Sequence, residues 1–561
     1  MLYWEISKYS ISIMKQIFKV LAIAAIAVSA MSCSKARIDN MNKIDGIIYE
    51  CTPEVLAAVA GKVPVTVEVT YPKGYFDPKA TLVVTPVLVY EGGEAAAESF
   101  VYQGSKVKDN YKVVSKDGGR VRESFSFDLV DGMEVAHLEL RGTAFAGKKT
   151  VEIPAVKIAD GVNTTYKLID ASGEYSLKAD GFKDVITVTT EGQILYDVNS
   201  ATVKNKELRS DSIKKLQEAL KEMKTNERMS VKGTEIVAYA SPEGGEKYNA
   251  KLSDKRAGTA EKAWSKISKG MDADEVVIKS IGQDWEGFKE AVAASDIEDK
   301  DLILRVLSMY SDPAVRESEI RNMSQIFTEL KDKVFPDLRR ARFITTGEYV
   351  NYSDAELLAL AEEHLGSLDE VSILHAATLT KDLEGKEILY RYAAEKFGSK
   401  VANYDLAVLA LNAFKSDAAE KYIAAAGTPD ADILNLQGVI AMRKGDIDKA
   451  MALFQKSGTK DARTNMGTLD ILMGKYEQAA RELKDGSSPK NEAIAYLLLG
   501  DADKAAATVK CHCASSDYIR AIAAARKGDK EGVDKWLASV SKKSAKLAER
   551  AAKDIEFANF R

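Results

Sequence analysis

The chain has 561 residues, of which 46% are hydrophobic and 29% charged, and at about 150 residues per domain it should hold several domains. Its 79 lysines and arginines and 84 aspartates and glutamates are interspersed, so the formal net charge is −5. The absence of a basic stripe argues against nucleic-acid binding. With only 11 prolines, long disordered linkers are not expected either.

The N-terminal segment predicts export and lipidation. Met14 is a candidate start, and it is followed by two lysines and by an apolar run at residues 20–28. This run is too short for a membrane span, which needs about 20 apolar residues, and is typical of a signal peptide. Residues 30–33 (Ala-Met-Ser-Cys) resemble a lipobox. We therefore expect residues 1–32 to be removed and Cys33 to carry lipid, the alternative being a plain signal peptide with an unmodified cysteine.

Residues 44–190 have the pattern of a β-domain. Val65, Val67 and Val69 alternate with polar residues, and similar runs recur as far as residues 185–190. Because alternate side chains of a strand point to opposite faces, runs of this kind separated by glycine-containing turns predict an antiparallel β-sandwich.

Residues 191–350 alternate between strand and helix patterns, which predicts a compact α/β domain. The expected elements are a strand at 194–201, a helix at 208–224, a strand at 235–240, a helix at 247–265 and a strand at 276–281. A mostly helical stretch, 284–335, follows them.

Three segments of this domain resemble the OmpA C-terminal-like peptidoglycan-binding family. Residues 197–201 are similar to its opening strand, residues 248–257 to its helix with Tyr-Asn, Leu-Ser and Arg-Ala pairs, and residues 338–343 to its final arginine-rich strand. The segments occur in the order of the family. The resemblance implies an OmpA-like fold over residues 190–350, with 284–335 as a helical insertion.

The resemblance also implies a binding site for a diaminopimelate residue of the peptidoglycan peptide. In the family, a helix arginine binds the free carboxylate and a loop aspartate binds the amine. Arg256 matches the arginine and Asn249 shares its helix face, but Ser241 stands where the family has aspartate. Glu243 is close enough in sequence to substitute. The domain is thus expected either to retain peptidoglycan contact through these residues or to serve packing and protein contact.

The C-terminal part, residues 353–561, predicts a helical solenoid. Gly445, Gly474, Gly500 and Gly528 recur at spacings of 29, 26 and 28 residues. Each glycine can end one helix, and the next helix supplies a packing alanine. The pattern resembles tetratricopeptide (TPR) repeats, although these spacings are shorter than the usual length of about 34 residues. Stacked hairpins of this type bury a continuous core and present a concave surface. The residues at TPR-like offsets are Leu434, Gly438, Ala450 and Phe454.

No catalytic, metal or cofactor site is predicted. Cys511-His512-Cys513 lacks the four well-spaced ligands of a structural zinc site, and a chance cluster or a disulfide is the simpler interpretation. His137 alternates with apolar residues and is interpreted as structural. The sequence contains no Gly-x-Ser-x-Gly motif and no phosphate-binding loop.

Together these patterns predict a non-enzymatic lipoprotein anchored to the outer membrane of a Gram-negative bacterium, on its periplasmic face. The OmpA-like domain would contact peptidoglycan, and the repeats would bind other envelope proteins. The alternative is an accessory lipoprotein of a fimbrial or outer-membrane assembly system whose OmpA-like fold no longer binds peptidoglycan.

Overall fold

The computed structural model describes residues 38–269 and 275–561, so the predicted signal peptide, Met14 and Cys33 lie outside the described residues. The chain divides into two compact units. The first contains the described residues up to Lys178 together with Gly398–Arg561, and the second is Ala179–Phe397. None of the helices in the described part of the chain combines the length and the apolar composition that a membrane crossing requires.

The strands in chain order are β1 (Ile48–Thr52), β2 (Val55–Ala57), β3 (Lys62–Tyr71), β4 (Thr81–Tyr90), β5 (Gly93–Ala96), β6 (Phe100–Gly104), β7 (Lys112–Val114), β8 (Gly119–Asp128), β9 (Ala136–Ala146), β10 (Lys149–Asn163), β11 (Val185–Leu195), β12 (Met229–Ala240), β13 (Val276–Gln283) and β14 (Arg340–Val350).

The α-helices are α1 (Asp211–Thr225), α2 (Glu246–Ile267), α3 (Trp285–Ala294), α4 (Lys300–Met309), α5 (Pro313–Asn322), α6 (Ser324–Lys333), α7 (Phe335–Leu338), α8 (Asp354–Glu363), α9 (Glu370–Leu379), α10 (Leu383–Phe397), α11 (Lys400–Asn412), α12 (Ser416–Ala425), α13 (Ala431–Arg443), α14 (Ile447–Ser457), α15 (Lys460–Leu472), α16 (Tyr476–Leu483), α17 (Pro489–Leu498), α18 (Ala502–Thr508), α19 (Ala514–Arg526), α20 (Lys530–Lys543) and α21 (Ala545–Lys553). Short 3-10 helices are Ile38–Asn40, Thr165–Leu168, Glu207–Arg209, Leu365–Ser367 and Ile555–Phe560.

The β-rich part of the first unit consists of two sheets, with strand orders β1-β3-β8 and β2-β10-β9-β4-β6-β7, and β5 pairs with β4. The predicted alternation is confirmed in β3, where Val65, Val67 and Val69 are buried and the residues between them are less so. This strand pairs antiparallel with β8 over its full length. One face of β3 therefore supplies the core, as a period of two requires.

The helical part of the first unit is a series of antiparallel hairpins, α11/α12 to α19/α20, closed by α21. Gly445, Gly474, Gly500 and Gly528 each adopt a left-handed conformation at the turn within a hairpin, as predicted. In the first hairpin Phe414 occupies this position with φ 56°. The glycine pattern therefore marks four of the five hairpins in the helical part of the first unit.

Small residues let the helices of a hairpin approach each other. A Cβ atom built on Gly438 would lie 2.5 Å from the ring of Phe454 on the following helix. Ala450 is fully buried beside it. These positions are those whose spacing resembles TPR repeats.

The β-rich part and the later hairpins share one hydrophobic core. The cluster contains Val63 and Val67 of β3 together with Ile471, Tyr518 and Phe557 of the helical part. Asn163 Nδ2 and Thr165 Oγ1 also donate hydrogen bonds to Glu556 Oε1, at 2.7 and 3.0 Å. The two regions, predicted as separate domains, belong to one compact unit.

The second unit is built on a four-stranded sheet with the order β11-β14-β12-β13. Strand β14 is antiparallel to β11 and β12, and β12 is parallel to β13. Helices α1 and α2 contribute their buried faces to the core of the sheet, where Trp264 stacks on Phe343 with ring centroids 5.6 Å apart. The expected alternation of strands and helices is thus observed, but β11 ends at Leu195, so most of the strand expected at residues 194–201 is a loop with a turn instead.

The domain boundaries differ from the predicted ones. The run at residues 185–190, assigned to the β-sandwich, is the first half of β11 and pairs with β14 of the α/β sheet. The predicted boundary at 190 therefore falls inside a strand. Helices α8–α10, assigned to the solenoid from residue 353, belong to the second unit. The expected helical insertion is present as α3–α7 and has its own core around Phe288 and Phe335.

Candidate functional site

The arginine assigned to peptidoglycan binding is enclosed in the α/β unit. Arg256 lies on α2 and is 1% exposed. Burial lowers the pKa of Arg256 to about 10. Its guanidinium donates hydrogen bonds to three main-chain oxygens, those of Ser200 at 2.9 Å, Tyr239 at 2.8 Å and Asp197 at 3.1 Å.

The other two predicted site residues lie next to each other and are also buried. Asn249 Nδ2 donates to the main-chain oxygens of Ser241 at 3.0 Å and of Gly244 at 2.6 Å. Ser241 Oγ donates to Glu243 Oε1 at 2.7 Å. These contacts shape the loop between β12 and α2. The structure therefore brings Ser241 and Asn249 together, and both stabilise the loop itself.

Glu243, the residue considered as a substitute for the family's aspartate, already has a cationic partner. Arg339 Nε donates to Glu243 Oε1 at 2.8 Å, and both side chains are largely buried. The two following arginines of the final strand are paired in the same way. Arg340 pairs with Asp284 at 2.9 Å, and Arg342 pairs with Glu191 at 2.5 Å.

A second polar site lies on the helical repeats and was not predicted. Four residues on the first helices of consecutive hairpins, each nine or ten residues before the left-handed turn position, are nearly completely buried: Asp405, Asn435, Asn465 and Asn491. We call them the Asx row. The signal in the sequence was an asparagine recurring at intervals of 30 and 26 residues within apolar helices.

The Asx row binds the main chain of residues 170–178, which we call the groove segment. Asn491 Oδ1 accepts from Asp170 N, and its Nδ2 donates to Asp170 O, both at 2.8 Å. Asn465 makes the same pair of hydrogen bonds with Glu174, at 2.7 and 2.9 Å. Asn435 Nδ2 adds a second donor to Glu174 O at 2.9 Å, and Asp405 Oδ1 accepts from Lys178 N at 2.9 Å.

Side chains and one glycine add to this contact. Arg443 Nε donates to Ser172 O at 2.8 Å, and Ser176 Oγ donates to Asp461 Oδ2 at 2.9 Å. Gly173 has φ +91°, and a Cβ atom there would lie 2.7 Å from a methyl group of Val439. The groove segment therefore fits closely against α13 and needs glycine at this point.

Burial and charge act in opposite directions on the acidic residues of the groove segment. Burial raises the pKa of Glu174 above its ordinary value. Burial alone would also raise the pKa of Asp170, but hydrogen bonds from Ser172 and the charges of Lys490 and Arg443 lower it overall. On the groove segment the surroundings therefore stabilise the ionised form of Asp170 and destabilise the ionised form of Glu174.

No metal centre is formed by the described parts of the chain: residues 38–269 and 275–561 contain no group of three or more His, Cys, Asp or Glu placed to hold an ion. His137 is close to one carboxylate, with Nε2 3.5 Å from Glu139. Cys511 and Cys513 are free thiols that lie side by side.

Comparisons with known proteins include a structural likeness. No family model matches the chain, and no curated protein matches it. Among solved structures it is similar to a crystal structure of a tetratricopeptide repeat protein from Parabacteroides merdae. The likeness covers 36% of this chain and 90% of that chain, at 15% identity and a TM-score of 0.28. The function is therefore argued from the geometry of the chain.

Proposed function

We propose that this chain is a non-enzymatic lipoprotein of the Gram-negative outer envelope, anchored through Cys33 to the periplasmic face of the outer membrane, which organises other envelope proteins. The lipobox-like residues 30–33 support the anchor. The helical hairpins support protein partners, because stacked hairpins offer extended surfaces to other chains. Of the two roles considered for the α/β domain, we favour the accessory role, without peptidoglycan binding.

The observation that carries this choice is the bonding of Arg256. A guanidinium has five N–H groups, and a carboxylate is bound bidentately by two that point to it together. Three groups of Arg256 already donate to main-chain oxygens, and the residue is 1% exposed. Turning it towards a ligand would leave buried oxygens without donors, at a cost of about 1–3 kcal/mol each. Ser241 supplies no carboxylate for the amine. Both features favour protein contact over peptidoglycan contact.

The surface of the repeats that carries the Asx row, which we call the groove, is already occupied by the groove segment of the same chain. The groove segment belongs to the same chain as the Asx row, so its binding is intramolecular and does not pay the entropy of bringing two molecules together. A free peptide from another protein would therefore compete poorly for the Asx row. Partner proteins are expected to dock on surfaces outside this groove, while the groove holds the chain's own segment in place.

Co-sedimentation of the full chain with isolated peptidoglycan sacculi tests the choice between the two roles. We expect wild type and Ser241→Asp to remain in the supernatant, since a new carboxylate does not free Arg256. Lys262→Ala, at an exposed position of the same helix, controls for non-specific attraction of charge to the wall. Sedimentation that Ser241→Asp strengthens and Arg256→Lys abolishes would show the proposal wrong.

The partner half of the proposal is tested in cells. Cross-linking of the anchored chain should join it to other outer-membrane proteins, and Cys33→Ala should lose those products because the chain leaves the membrane. Cross-linked products that contain this chain alone would contradict a role in organising other proteins.

A further inference from the structure

Cys511 and Cys513 lie in the loop between α18 and α19, outside the sites described so far. Their Sγ atoms are 2.8 Å apart, Cys511 is exposed and Cys513 is half-buried. The loop is fixed from outside by Lys543, whose Nζ donates to the main-chain oxygen of His512 at 2.7 Å. Two thiols are therefore held in contact where solvent reaches at least one of them.

The surroundings favour a thiolate on one of the two cysteines. The buried side chain of Ser516 touches both, with its Oγ 2.9 Å from Cys511 Sγ and 3.3 Å from Cys513 Sγ. Cys513 immediately precedes α19, whose first N–H groups favour negative charge. Burial alone would raise the pKa of Cys513, but hydrogen bonds from Cys511 and Ser516 and the charge of Lys490 lower it to about 7.

We propose that Cys511 and Cys513 form a dithiol centre that exchanges with an accessible disulfide bond of a second molecule. The Cys513 thiolate attacks one sulfur of the disulfide R–S–S–R, that bond breaks, and one R–S⁻ leaves and takes up a proton. Cys511 then loses its proton, and its Sγ attacks Cys513 Sγ and releases the second R–S⁻. The pair is oxidised by two electrons to an intramolecular disulfide, and R–S–S–R is reduced to two thiols.

Cys51 provides a contrast within the same chain. It lies on β1 and is half-buried, and burial raises the pKa of its thiol to about 11. A thiol of this kind is a poor nucleophile at neutral pH because little of it is ionised. Cys51 is also distant in sequence from Cys511 and Cys513, and no disulfide joins it to them.

The experiment uses the full chain and oxidised glutathione as the disulfide. Trypsin cleaves after Lys510 and Arg520, so one peptide, 511–520, carries both thiols and no other cysteine. The chain is equilibrated at neutral pH with rising ratios of oxidised to reduced glutathione, and the exchange is quenched with acid. Free thiols are then blocked with N-ethylmaleimide, and the tryptic peptides are analysed by mass spectrometry. We expect this peptide to pass from the doubly blocked form to an internal disulfide, two hydrogen atoms lighter than the dithiol, while Cys51 is still blocked as a free thiol.

Single variants separate the two roles. Cys511→Ser should accumulate a glutathione adduct on Cys513, since no second thiol can release it. Cys513→Ser should react at least about tenfold more slowly, because the ionised nucleophile is absent. Cys51→Ser serves as the control and should leave the conversion unchanged. The proposal is overturned if the pair stays reduced until Cys51 is oxidised too, or if each cysteine of the wild-type peptide takes its own glutathione.

Discussion

Asn465 satisfies both main-chain hydrogen-bonding groups of Glu174, since its Oδ1 accepts from Glu174 N at 2.7 Å and its Nδ2 donates to Glu174 O at 2.9 Å. A primary amide offers one acceptor and one donor side by side, which is the pattern of the main chain of an extended residue. The pairing depends on the backbone of the groove segment and not on the identity of its side chains. This explains how residues without regular secondary structure are held in a fixed position.

Asn465→Ala should loosen the groove segment. The substitution removes the acceptor of Glu174 N, and an unsatisfied buried donor costs about 1–3 kcal/mol. Hydrogen–deuterium exchange at residues 169–178 should become faster, and a Glu-specific protease should cut after Glu174 more readily. Gln455→Ala, at an exposed position of α14, should change neither measurement. Unaltered exchange in Asn465→Ala would mean that the segment is held by other contacts.

Arg256→Ala should destabilise the α/β unit by about 3 kcal/mol or more, because three buried main-chain oxygens lose their donor and a cavity forms. Arg256→Lys should recover only part of this, since one ammonium cannot reach all three oxygens. Exchange protection of α2 peptides measures the effect within this unit. Full protection of α2 in Arg256→Ala would argue that the arginine is held for a ligand and not for the fold.

Asp470 predicts a pH effect on stability. It is fully buried, neither carboxylate oxygen has a hydrogen-bond partner in the described chain, and its ion-pair partner Lys475 is 3.9 Å away. Burial raises the pKa of Asp470 to about 6, above the value of about 3.9 for an unfolded chain. The folded form therefore binds the proton more tightly, so the ionised group destabilises the fold above pH 6 and the penalty disappears below about pH 4.

Asp470→Asn should accordingly stabilise the first unit at neutral pH by roughly 1 kcal/mol, after allowance for solvent screening. Urea unfolding followed by exchange protection of α15 measures the difference, which should vanish below about pH 4. Asp534→Asn, on the exposed side of α20, is the matched control. A gain that is the same at both pH values would exclude ionisation of Asp470 as its cause.

Cys33→Ala should leave the chain either unprocessed or released into the soluble fraction, because the thiol is the predicted attachment point of the lipid. Fractionation of envelopes, with detection of the chain in membrane and soluble fractions, measures this. A variant that is processed normally and stays as firmly bound as wild type would show that the lipoprotein prediction is wrong.

Local sequence patterns predicted most strands and helices, but not which of these elements pack or pair with each other. The alternation in β3 and the glycines between paired helices identify strands and hairpins because each depends on a few neighbouring residues. Phe414 takes the left-handed turn position without glycine, so the first hairpin carried no such signal. Residues 185–190 have the alternation of apolar and polar residues of an ordinary strand. No pattern in neighbouring residues indicates that they pair with β14, which lies more than 150 residues away in the chain.

In the candidate sites, too, local patterns predicted the position of a residue but not its distant contacts. The position of Arg256 on the buried face of α2 follows from helical spacing, yet its three acceptors come from two other segments of the chain. The Asx row could have been found by aligning the hairpins on their turn glycines, because Asn435, Asn465 and Asn491 lie ten, nine and nine residues before those glycines. The groove segment could not have been found in this way. The Asx row binds its main chain, so its side chains need not follow a recognisable sequence pattern.

The insertion of residues 179–397 into the first unit sets an order of folding events during synthesis. The second unit is continuous in the chain and can fold as soon as it emerges. The β-rich part and the groove segment emerge earlier, but their partners, such as Asn491 and Phe557, arrive last. The apolar strands within residues 38–178 therefore stay incompletely folded until the C-terminal helices have been synthesised. A chaperone that covers their apolar surface should raise the yield of folded protein.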